Sequence, residues 1–283
     1  MATIICAEHA GACYGVERAL RMVREAAQSH EGSVQTLGPL IHNPQVVEEL
    51  EHNHGVTVAQ DADHVSGDTV VIRSHGVVPE VIQHLHDLDK DVVDATCPYV
   101  KKVHAAAERL VREGYQVLVV GEAGHPEVEG ILGHAPSAVA VVNPDDLEHL
   151  SLSRKVGVVV QTTQSRTTLA SLVSAILLKG SVDELKVVDT ICEATAERQR
   201  AAAALAQKAD VMIVIGGRNS ANTTRLAEIC ATYCNNTHHV ETADELAADW
   251  FENAEIIGIT AGASTPASQI ASVQTQIEQL CHD

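Results

Sequence analysis

Three cysteines, Cys13, Cys97 and Cys192, constrain the fold of this chain more strongly than any other feature. Each follows a strand-like apolar run, and the three runs cover residues 1–5, 90–93 and 185–191. Each also precedes a helix-like segment, at residues 16–28, 100–112 and 196–208. The carboxyl end of a strand in an α/β layer is where ligands usually bind. Packing alone does not readily explain why each of the three thirds of the chain has a cysteine at this position.

The segments that follow each cysteine repeat in the same order. A helix-like and a strand-like segment lead to a polar turn, marked by His42, His125 and Ser220 at 29, 28 and 28 residues after the cysteines. A second helix-like and a second strand-like segment lead to another polar turn, at residues 74–76, 161–163 and 260–264. This alternation with short turns is typical of α/β units with mostly parallel sheets.

The repeat predicts an α/β protein with three similar α/β units arranged as a pseudo-threefold trefoil. We place the units at residues 14–97, at 98–191, and at 192–283 together with 1–13. The last unit lacks a final strand of its own, so the N-terminal strand is expected to complete it. In such an arrangement the carboxyl ends of the strands and the amino ends of the helices face one centre, and the helix dipoles there favour an anion.

Composition and charge limit the possible classes of function. With 283 residues, 45% hydrophobic but only 2% aromatic, the chain is expected to bury a large aliphatic core. It has no apolar run of membrane-spanning length and no basic N-terminal signal segment, so we expect a cytoplasmic protein without a membrane partner. In that compartment its 7 cysteines are more typical of metal ligands, reactive thiols or core residues than of disulfides. A net charge of −19 without a basic block argues against nucleic-acid binding.

The three strand-end cysteines suit a metal centre with one open coordination position. A closed structural zinc site usually uses C-x2-C pairs, which the sequence lacks. An iron–sulfur cubane held at three of its irons leaves the fourth iron open. From the residues alone, a zinc or mononuclear iron hydrolase, an iron–sulfur enzyme, a non-catalytic iron–sulfur sensor and three small buried side chains all remain possible.

The polar turns contribute hydrogen-bonding side chains that could hold a phosphorylated substrate. These are His42, His75, His125, Ser220, Asn222 and Ser264. The set contains no Arg or Lys, so we expect a diphosphate to be held by hydrogen bonds and partly protonated imidazoles. Taken singly, Ser and Asn at such positions are also ordinary helix caps.

Glu127 is the candidate proton donor, because it shares a turn with His125 and lies near the strand end that carries Cys97. Burial beside an anion would raise the pKa of its carboxyl group and keep it protonated as a general acid. The alternatives are that Glu127 is a solvated helix-start residue, or that Glu129 takes this role. Thr162 and Thr163 could orient the proton.

Nine motifs together resemble the 4-hydroxy-3-methylbut-2-enyl diphosphate reductase family over nearly the whole chain. They include GACYGV at 11–16, DATCP at 94–98, GHPEVEG at 124–130 and ICEAT at 191–195. The others lie at residues 41–44, 73–77, 161–163, 219–223 and 260–264. In this combination and order the motifs are highly specific.

The resemblance implies a trefoil around one 4Fe–4S cluster held by Cys13, Cys97 and Cys192. It implies that ferredoxin or flavodoxin supplies two electrons and that Glu127, with Thr162, supplies the proton that lets the substrate's hydroxyl leave as water. The products would be isopentenyl and dimethylallyl diphosphate. The residues that match the family's substrate-binding positions are His42, His75, His125, Thr162, Ser220, Ala221, Asn222 and Ser264.

The chain also departs from the family's pattern. His9 and Ala10 stand where members often have Pro-Arg, and Ala12 replaces a common aromatic residue. Ala221 replaces a frequent serine, so one hydroxyl that could hold phosphate is missing, although the backbone N–H remains. The loss of one neutral hydrogen bond costs roughly 0.5–1.5 kcal/mol, so we expect weaker substrate binding rather than loss of function.

Overall fold

The structure, a computed structural model, describes residues 2–29 and 32–282. Met1 and Asp283, which belong to the predicted third unit, lie outside the described residues. The described chain forms two compact units. Unit 1 comprises residues 2–17, 42–47 and 193–282, and unit 2 comprises residues 18–29, 32–41 and 48–192.

Strands and helices alternate along the described residues, except that the strands at residues 57–59, 139–141 and 237–240 lead to the next strand through short 3-10 segments. The strands are β1 (Thr3–Cys6), β2 (Val34–Leu37), β3 (Thr57–Ala59), β4 (Thr69–Ile72), β5 (Asp91–Asp94), β6 (Gln116–Val120), β7 (Val139–Val141), β8 (Lys155–Val160), β9 (Glu184–Val187), β10 (Val211–Ile215), β11 (Thr237–Val240) and β12 (Ile256–Ala261). The helices are α1 (Tyr14–Ser29), α2 (Pro44–His54), α3 (Pro79–Asp87), α4 (Pro98–Arg112), α5 (Pro126–His134), α6 (Arg166–Leu178), α7 (Glu193–Ala206), α8 (Ala221–Tyr233) and α9 (Ala267–Leu280).

These strands form three parallel four-stranded sheets with one shared strand order. Unit 2 contains the sheets β3-β2-β4-β5 and β7-β6-β8-β9, and unit 1 contains β11-β10-β12-β1. β1 is the edge strand of its sheet and pairs with β12, with Thr3 opposite Ile256. The predicted α/β class with three similar parallel sheets is confirmed. The predicted bounds of the three repeat units stay a prediction.

The turn after the first central strand is closed in the same way in every sheet. The N–H of the residue that follows this strand donates to the carbonyl of the last residue of the neighbouring edge strand. The pairs are Gly38 to Ala59 at 2.8 Å, Gly121 to Val141 at 3.0 Å and Gly216 to Val240 at 3.0 Å. The repeat seen in the sequence is therefore also a repeat of backbone hydrogen bonds.

The core is aliphatic, as the composition predicts. In the β6–β9 sheet, Val117 and Val119 pack with Leu110 of α4 and Ile131 of α5. Alternate residues of the same strand face the opposite layer, which includes Leu172 and Ile176 of α6. Helices on both faces bury a parallel sheet completely, and each fully buried Val, Leu or Ile contributes roughly 1.5–3 kcal/mol. This packing fixes the strand ends that carry the polar turns.

Several boundaries differ from the sequence-based expectation. The strand predicted at 185–191 ends at Val187, because the hydroxyl of Thr190 both accepts from the Val160 N–H and donates to its carbonyl, at 2.8 and 2.5 Å. The Thr190 side chain thus makes the contacts that a further backbone-to-backbone pair of the sheet would make. The helix predicted at 196–208 begins earlier, at Glu193, and ends at Ala206. The edge strands β3, β7 and β11 were not predicted. No helix within residues 2–29 and 32–282 is long and apolar enough to cross a membrane.

Candidate functional site

The three strand-end cysteines occupy the same place in their respective sheets. Each follows an edge strand, precedes a helix and is partly exposed. Each donates its backbone N–H to the turn after the neighbouring strand, and the acceptor is always the second residue past that strand's end. The pairs are Cys13 to the Ala263 carbonyl at 3.1 Å, Cys97 to Ser74 at 2.9 Å and Cys192 to Thr162 at 3.1 Å. The thiol groups are therefore placed at the carboxyl edge of each sheet by a repeated backbone contact.

Three partly exposed cysteines are a donor set that fits an iron–sulfur cluster. Within the two described ranges, no group of three or more His, Cys, Asp or Glu side chains is placed to hold one metal ion. In an iron–sulfur cubane each cysteine binds a different iron. Cys13 lies in unit 1, whereas Cys97 and Cys192 lie in unit 2.

Two arginines that the sequence analysis missed hold the backbone just before two of these cysteines. In unit 1, the buried guanidinium of Arg198 donates from Nε and Nη2 to the Gly11 carbonyl, at 3.1 and 2.6 Å. In unit 2, Arg18 donates to the carbonyls of Ala95 and Thr96, at 3.4 and 3.3 Å. Each arginine lies on the helix that follows a cysteine, at position 5 or 6 after it. That spacing was the available sequence signal.

Glu127 is buried in unit 2 and bonded through both carboxyl oxygens to one residue. The Thr162 N–H donates to Oε1 at 2.6 Å, and the Thr162 hydroxyl donates to Oε2 at 2.8 Å. Burial raises the pKa of Glu127 to about 7, with a smaller contribution from the negative charge of Glu122, while the bonds from Thr162 act in the opposite direction. Burial therefore dominates, and the carboxyl group is still partly protonated at neutral pH.

Glu129, the rival candidate, lies on the exposed side of the same helix. Its carboxylate accepts the Gly124 N–H at 2.9 Å and closes the turn before α5. It thus has a local structural contact and an exposed position. The buried carboxyl group at this helix start is that of Glu127.

His125 caps α5 and is held in one tautomer. Its Nδ1 accepts the Glu127 N–H at 3.1 Å, so the ring proton must lie on Nε2. Burial and the nearby positive charge of Arg73 lower the pKa of His125 to about 4. The expected partial protonation is therefore wrong for His125, because the ring is desolvated beside a cation. The ring of His75 lies edge-on to it, with 5.7 Å between the centroids.

Arg73 is a further residue that was not included in the set of hydrogen-bonding side chains predicted from the sequence. Burial lowers the pKa of its guanidinium, and its Nε has no hydrogen-bond partner among the described residues. The side chain lies against Gly38, where a Cβ would come within 2.5 Å of Nη1. The predicted set of hydrogen-bonding side chains, which contained no Arg or Lys, is therefore incomplete.

The start of α8 in unit 1 carries three predicted residues. The Ser220 hydroxyl accepts the Thr223 N–H at 3.3 Å, which leaves its own proton available to a ligand. Asn222 is 4% exposed, and neither polar atom of its side chain has a hydrogen-bond partner within the described residues. Ala221 is the first residue of the helix, where the backbone N–H has no partner within the helix. Buried donors of this kind suit an anion.

His42 and Ser264 contact each other in unit 1. The Ser264 hydroxyl donates to the His42 carbonyl at 3.1 Å. A Cβ on Gly217 would lie 2.6 Å from the same carbonyl oxygen, so only glycine allows this close approach. Two predicted substrate residues and the turn before α8 thus meet at one backbone carbonyl.

The fold and these side chains define a class: α/β enzymes with parallel sheets that carry a cysteine at each carboxyl edge and one buried carboxylic acid. The model of the LytB protein family matches residues 4–278. The chain belongs to this family, and family identity implies an iron–sulfur cofactor.

Relatives and solved structures agree with this assignment. The 4-hydroxy-3-methylbut-2-enyl diphosphate reductase of Geobacter sulfurreducens is 50% identical, over 98% of this chain and 97% of its own. The reductase of the same name from Aquifex aeolicus is 46% identical, over 99% and 98%. A solved structure described as (E)-4-hydroxy-3-methyl-but-2-enyl diphosphate reductase, the terminal enzyme of the non-mevalonate pathway, matches with a TM-score of 0.70 at 46% identity and covers 99% of this chain and 100% of its own. The Plasmodium falciparum E-1-hydroxy-2-methyl-but-2-enyl-4-diphosphate reductase matches with a TM-score of 0.91 at 27% identity, over 98% and 87%.

Proposed function

We propose that this chain reduces 4-hydroxy-3-methylbut-2-enyl diphosphate to isopentenyl and dimethylallyl diphosphate. The substrate takes up two electrons and two protons, its C–O bond breaks, and the hydroxyl leaves as water. The relatives at 46–50% identity over nearly the full length support this activity. The observation in the structure that carries it is the buried Glu127, whose pKa of about 7 lets it give up a proton near neutral pH.

The cofactor in this proposal is one 4Fe–4S cluster per chain, held by Cys13, Cys97 and Cys192. The equivalent positions of the three cysteines and their repeated backbone contacts support this ligand set. When bound, such a cluster supplies electrons and, at an iron without a protein ligand, a Lewis acid. Ferredoxin or flavodoxin would be the electron donor, and a cytoplasmic location is consistent with cysteines that are kept reduced.

Glu127 is the proton donor, and Thr162 holds it in place. The backbone N–H of Thr162 fixes one carboxyl oxygen, and its rotatable hydroxyl faces the other. When Glu127 is protonated, that hydroxyl can turn and accept, which leaves the carboxyl group oriented. Because Thr162 also accepts the Cys192 N–H through its carbonyl, the proton donor and one cysteine share a support.

The diphosphate is held by neutral donors rather than by a salt bridge alone. In this proposal the Nε2–H of His125, the Ser220 hydroxyl and the Asn222 amide donate to the diphosphate. His42, His75 and Ser264 complete the set, with Ala221 contributing its backbone N–H. Arg73 adds a positive charge close to His125. We also propose that residues 14–97, 98–191 and 192–283 with 1–13 are the three repeat units, on the basis of the shared strand order.

The test is turnover of 4-hydroxy-3-methylbut-2-enyl diphosphate by protein purified without oxygen, with reduced methyl viologen as electron donor. We expect both five-carbon diphosphates as products, no reaction without the reductant, and a loss of at least about 10²-fold in Glu127→Gln. Consumption of substrate without reductant would support a hydrolase instead. Tight binding without any turnover would support a sensor.

A further inference from the structure

Asn43 is buried in unit 1, directly after the proposed substrate residue His42. It is 1% exposed and lies between His42 and the start of α2. Its side-chain amide makes three hydrogen bonds inside the protein and uses both of its donors. An amide that is so fully bonded in the core restricts the segment that carries it.

The three contacts of this amide connect separate parts of unit 1. Oδ1 accepts the Val46 N–H at 3.2 Å and caps α2. Nδ2 donates one hydrogen to the Ser264 carbonyl and the other to Oε1 of Gln269, both at 3.0 Å. Since a backbone N–H faces Oδ1 and a carbonyl faces Nδ2, the orientation of the amide is fixed by its partners.

The contact between these segments is reciprocal. Ser264 donates its hydroxyl to the His42 carbonyl at 3.1 Å, and it receives the Asn43 amide on its own carbonyl. Gln269 extends the link, because its Nε2 donates to the Glu241 carbonyl. The adjacent residues His42 and Asn43 are thus joined to Ser264 by two hydrogen bonds in opposite directions, one to the His42 carbonyl and one from the Asn43 amide.

We propose that Asn43 is a positioning residue that holds His42 and Ser264 at the spacing needed to bind the diphosphate of the substrate. The Ser264 hydroxyl has a single proton, so it must leave the His42 carbonyl when it turns to a phosphate oxygen. At that point the bond from Asn43 to the Ser264 carbonyl still joins the two segments. The proposal rests on the assignment of His42 and Ser264 as substrate residues.

Substitutions of Asn43 can separate this role from helix capping. Asn43→Ser and Asn43→Asp keep an oxygen that can cap α2, but both remove the two donors. Asn143 is the matched control, because it also precedes a proline and caps a short helix, accepting the Asp145 N–H at 2.9 Å. It is exposed and contacts none of the proposed substrate residues.

The experiment measures kcat and KM of the holoenzyme, the binding of inorganic pyrophosphate by calorimetry, and the thermal midpoint. For Asn43→Asp and Asn43→Ser we expect KM and the pyrophosphate Kd to rise about tenfold or more, with kcat within about threefold of wild type. Asn143→Ser should leave KM and Kd unchanged. A fall in thermal midpoint with unchanged KM and Kd would show that Asn43 is only a cap and would overturn the proposal.

Two substitutions of Gln269 test the hydrogen bond between Asn43 and Gln269 from its acceptor side. They can be used if the Asn43 variants do not fold. Gln269→Glu keeps an acceptor for Asn43, whereas Gln269→Leu removes it. We expect weakened pyrophosphate binding in Gln269→Leu alone, and equal binding in the two variants would contradict the proposal. If the wild-type holoenzyme turns over substrate but does not bind pyrophosphate, the assignment of the diphosphate-binding residues fails. That result differs from pyrophosphate binding that is intact in wild type and unchanged by substitution of Asn43, which contradicts only the proposal for Asn43.

Discussion

At the scale of single residues, the carboxyl group of Glu127 connects burial to chemistry. An unfolded glutamate has a pKa of 4.5, and burial raises that of Glu127 to about 7. Between these two values the folded state holds a proton that the unfolded chain has already released. The free energy of unfolding therefore falls as pH rises through this window, by about 3 kcal/mol in total at 1.36 kcal/mol per pH unit.

Glu127→Gln should remove this pH dependence, because glutamine does not titrate and can bond to Thr162 in the same place. We expect its thermal midpoint to gain several degrees relative to wild type between pH 5 and pH 8.5. The measurement is thermal unfolding at both pH values, with the exposed Glu129→Gln as the control. A constant difference between Glu127→Gln and wild type at both pH values would argue against a carboxyl group that is protonated in the folded state.

Ala221 offers a test of the diphosphate-binding helix start. Ala221→Ser places a hydroxyl on the first residue of α8, beside the unpaired amide of Asn222. One added neutral hydrogen bond corresponds to roughly 0.5–1.5 kcal/mol, so KM should fall about two- to tenfold with little change in kcat. Ala267→Ser, at the exposed first residue of α9, is the control. An unchanged KM would place the diphosphate away from this helix start.

At the scale of elements, residues 2–29 and 32–282 repeat one unit of strand, turn, cysteine and helix. The central strands were predictable because runs such as residues 117–120 of β6 and the whole of β10 are continuously apolar. β3 and β7 have only three residues each, too few to show an alternation of apolar and polar side chains. β11 carries His238 and His239, which hide its strand character. A short edge strand is identified by the neighbouring strand with which it pairs, and that pairing cannot be seen in the sequence.

The site residues, like the strands, were predictable only in part. Residues that precede helices or follow strands, such as Cys97 and Ser220, reveal themselves by their position in the repeat. Position alone does not reveal what Arg198 and Asn43 do, because each acts on a backbone carbonyl far away along the chain, Gly11 or Ser264. Contacts of that kind depend on how the loops pack. The unit bounds and the roles of the site residues remain predictions.

Arg198 should matter for retention of the cofactor, because its buried guanidinium holds the carbonyl two residues before Cys13. In Arg198→Gln we expect a lower iron content after purification and faster loss of iron in air. The control is Arg200→Gln on the same helix, whose side chain is 58% exposed and pairs with the exposed Glu193. Equal iron content in the two variants would limit Arg198 to a role outside the cysteine loop.

At the scale of the whole molecule, the net charge of −19 should govern encounters with small electron donors. The field of the chain attracts a cationic donor, and salt screens it, with a Debye length of about 30 Å at 0.01 M and about 10 Å at 0.1 M. The rate of reduction by methyl viologen cation should therefore fall as salt is added over this range. The rate with a viologen that carries two sulfonates, whose reduced form has a net charge of −1, should not fall and should rise as salt screens the repulsion. The same salt dependence for both donors would show that the global charge has no influence on electron delivery.

The measurement that tests the central claim most directly is the iron and acid-labile sulfide content per chain of protein purified without oxygen. We expect about four of each in wild type, and a large loss of both when Cys13, Cys97 or Cys192 is changed to alanine. Cys281→Ala, outside the three repeated positions, should keep the wild-type content. Zinc without sulfide, or full iron and sulfide in any of the three cysteine variants, would contradict a cluster held by one cysteine from each repeat.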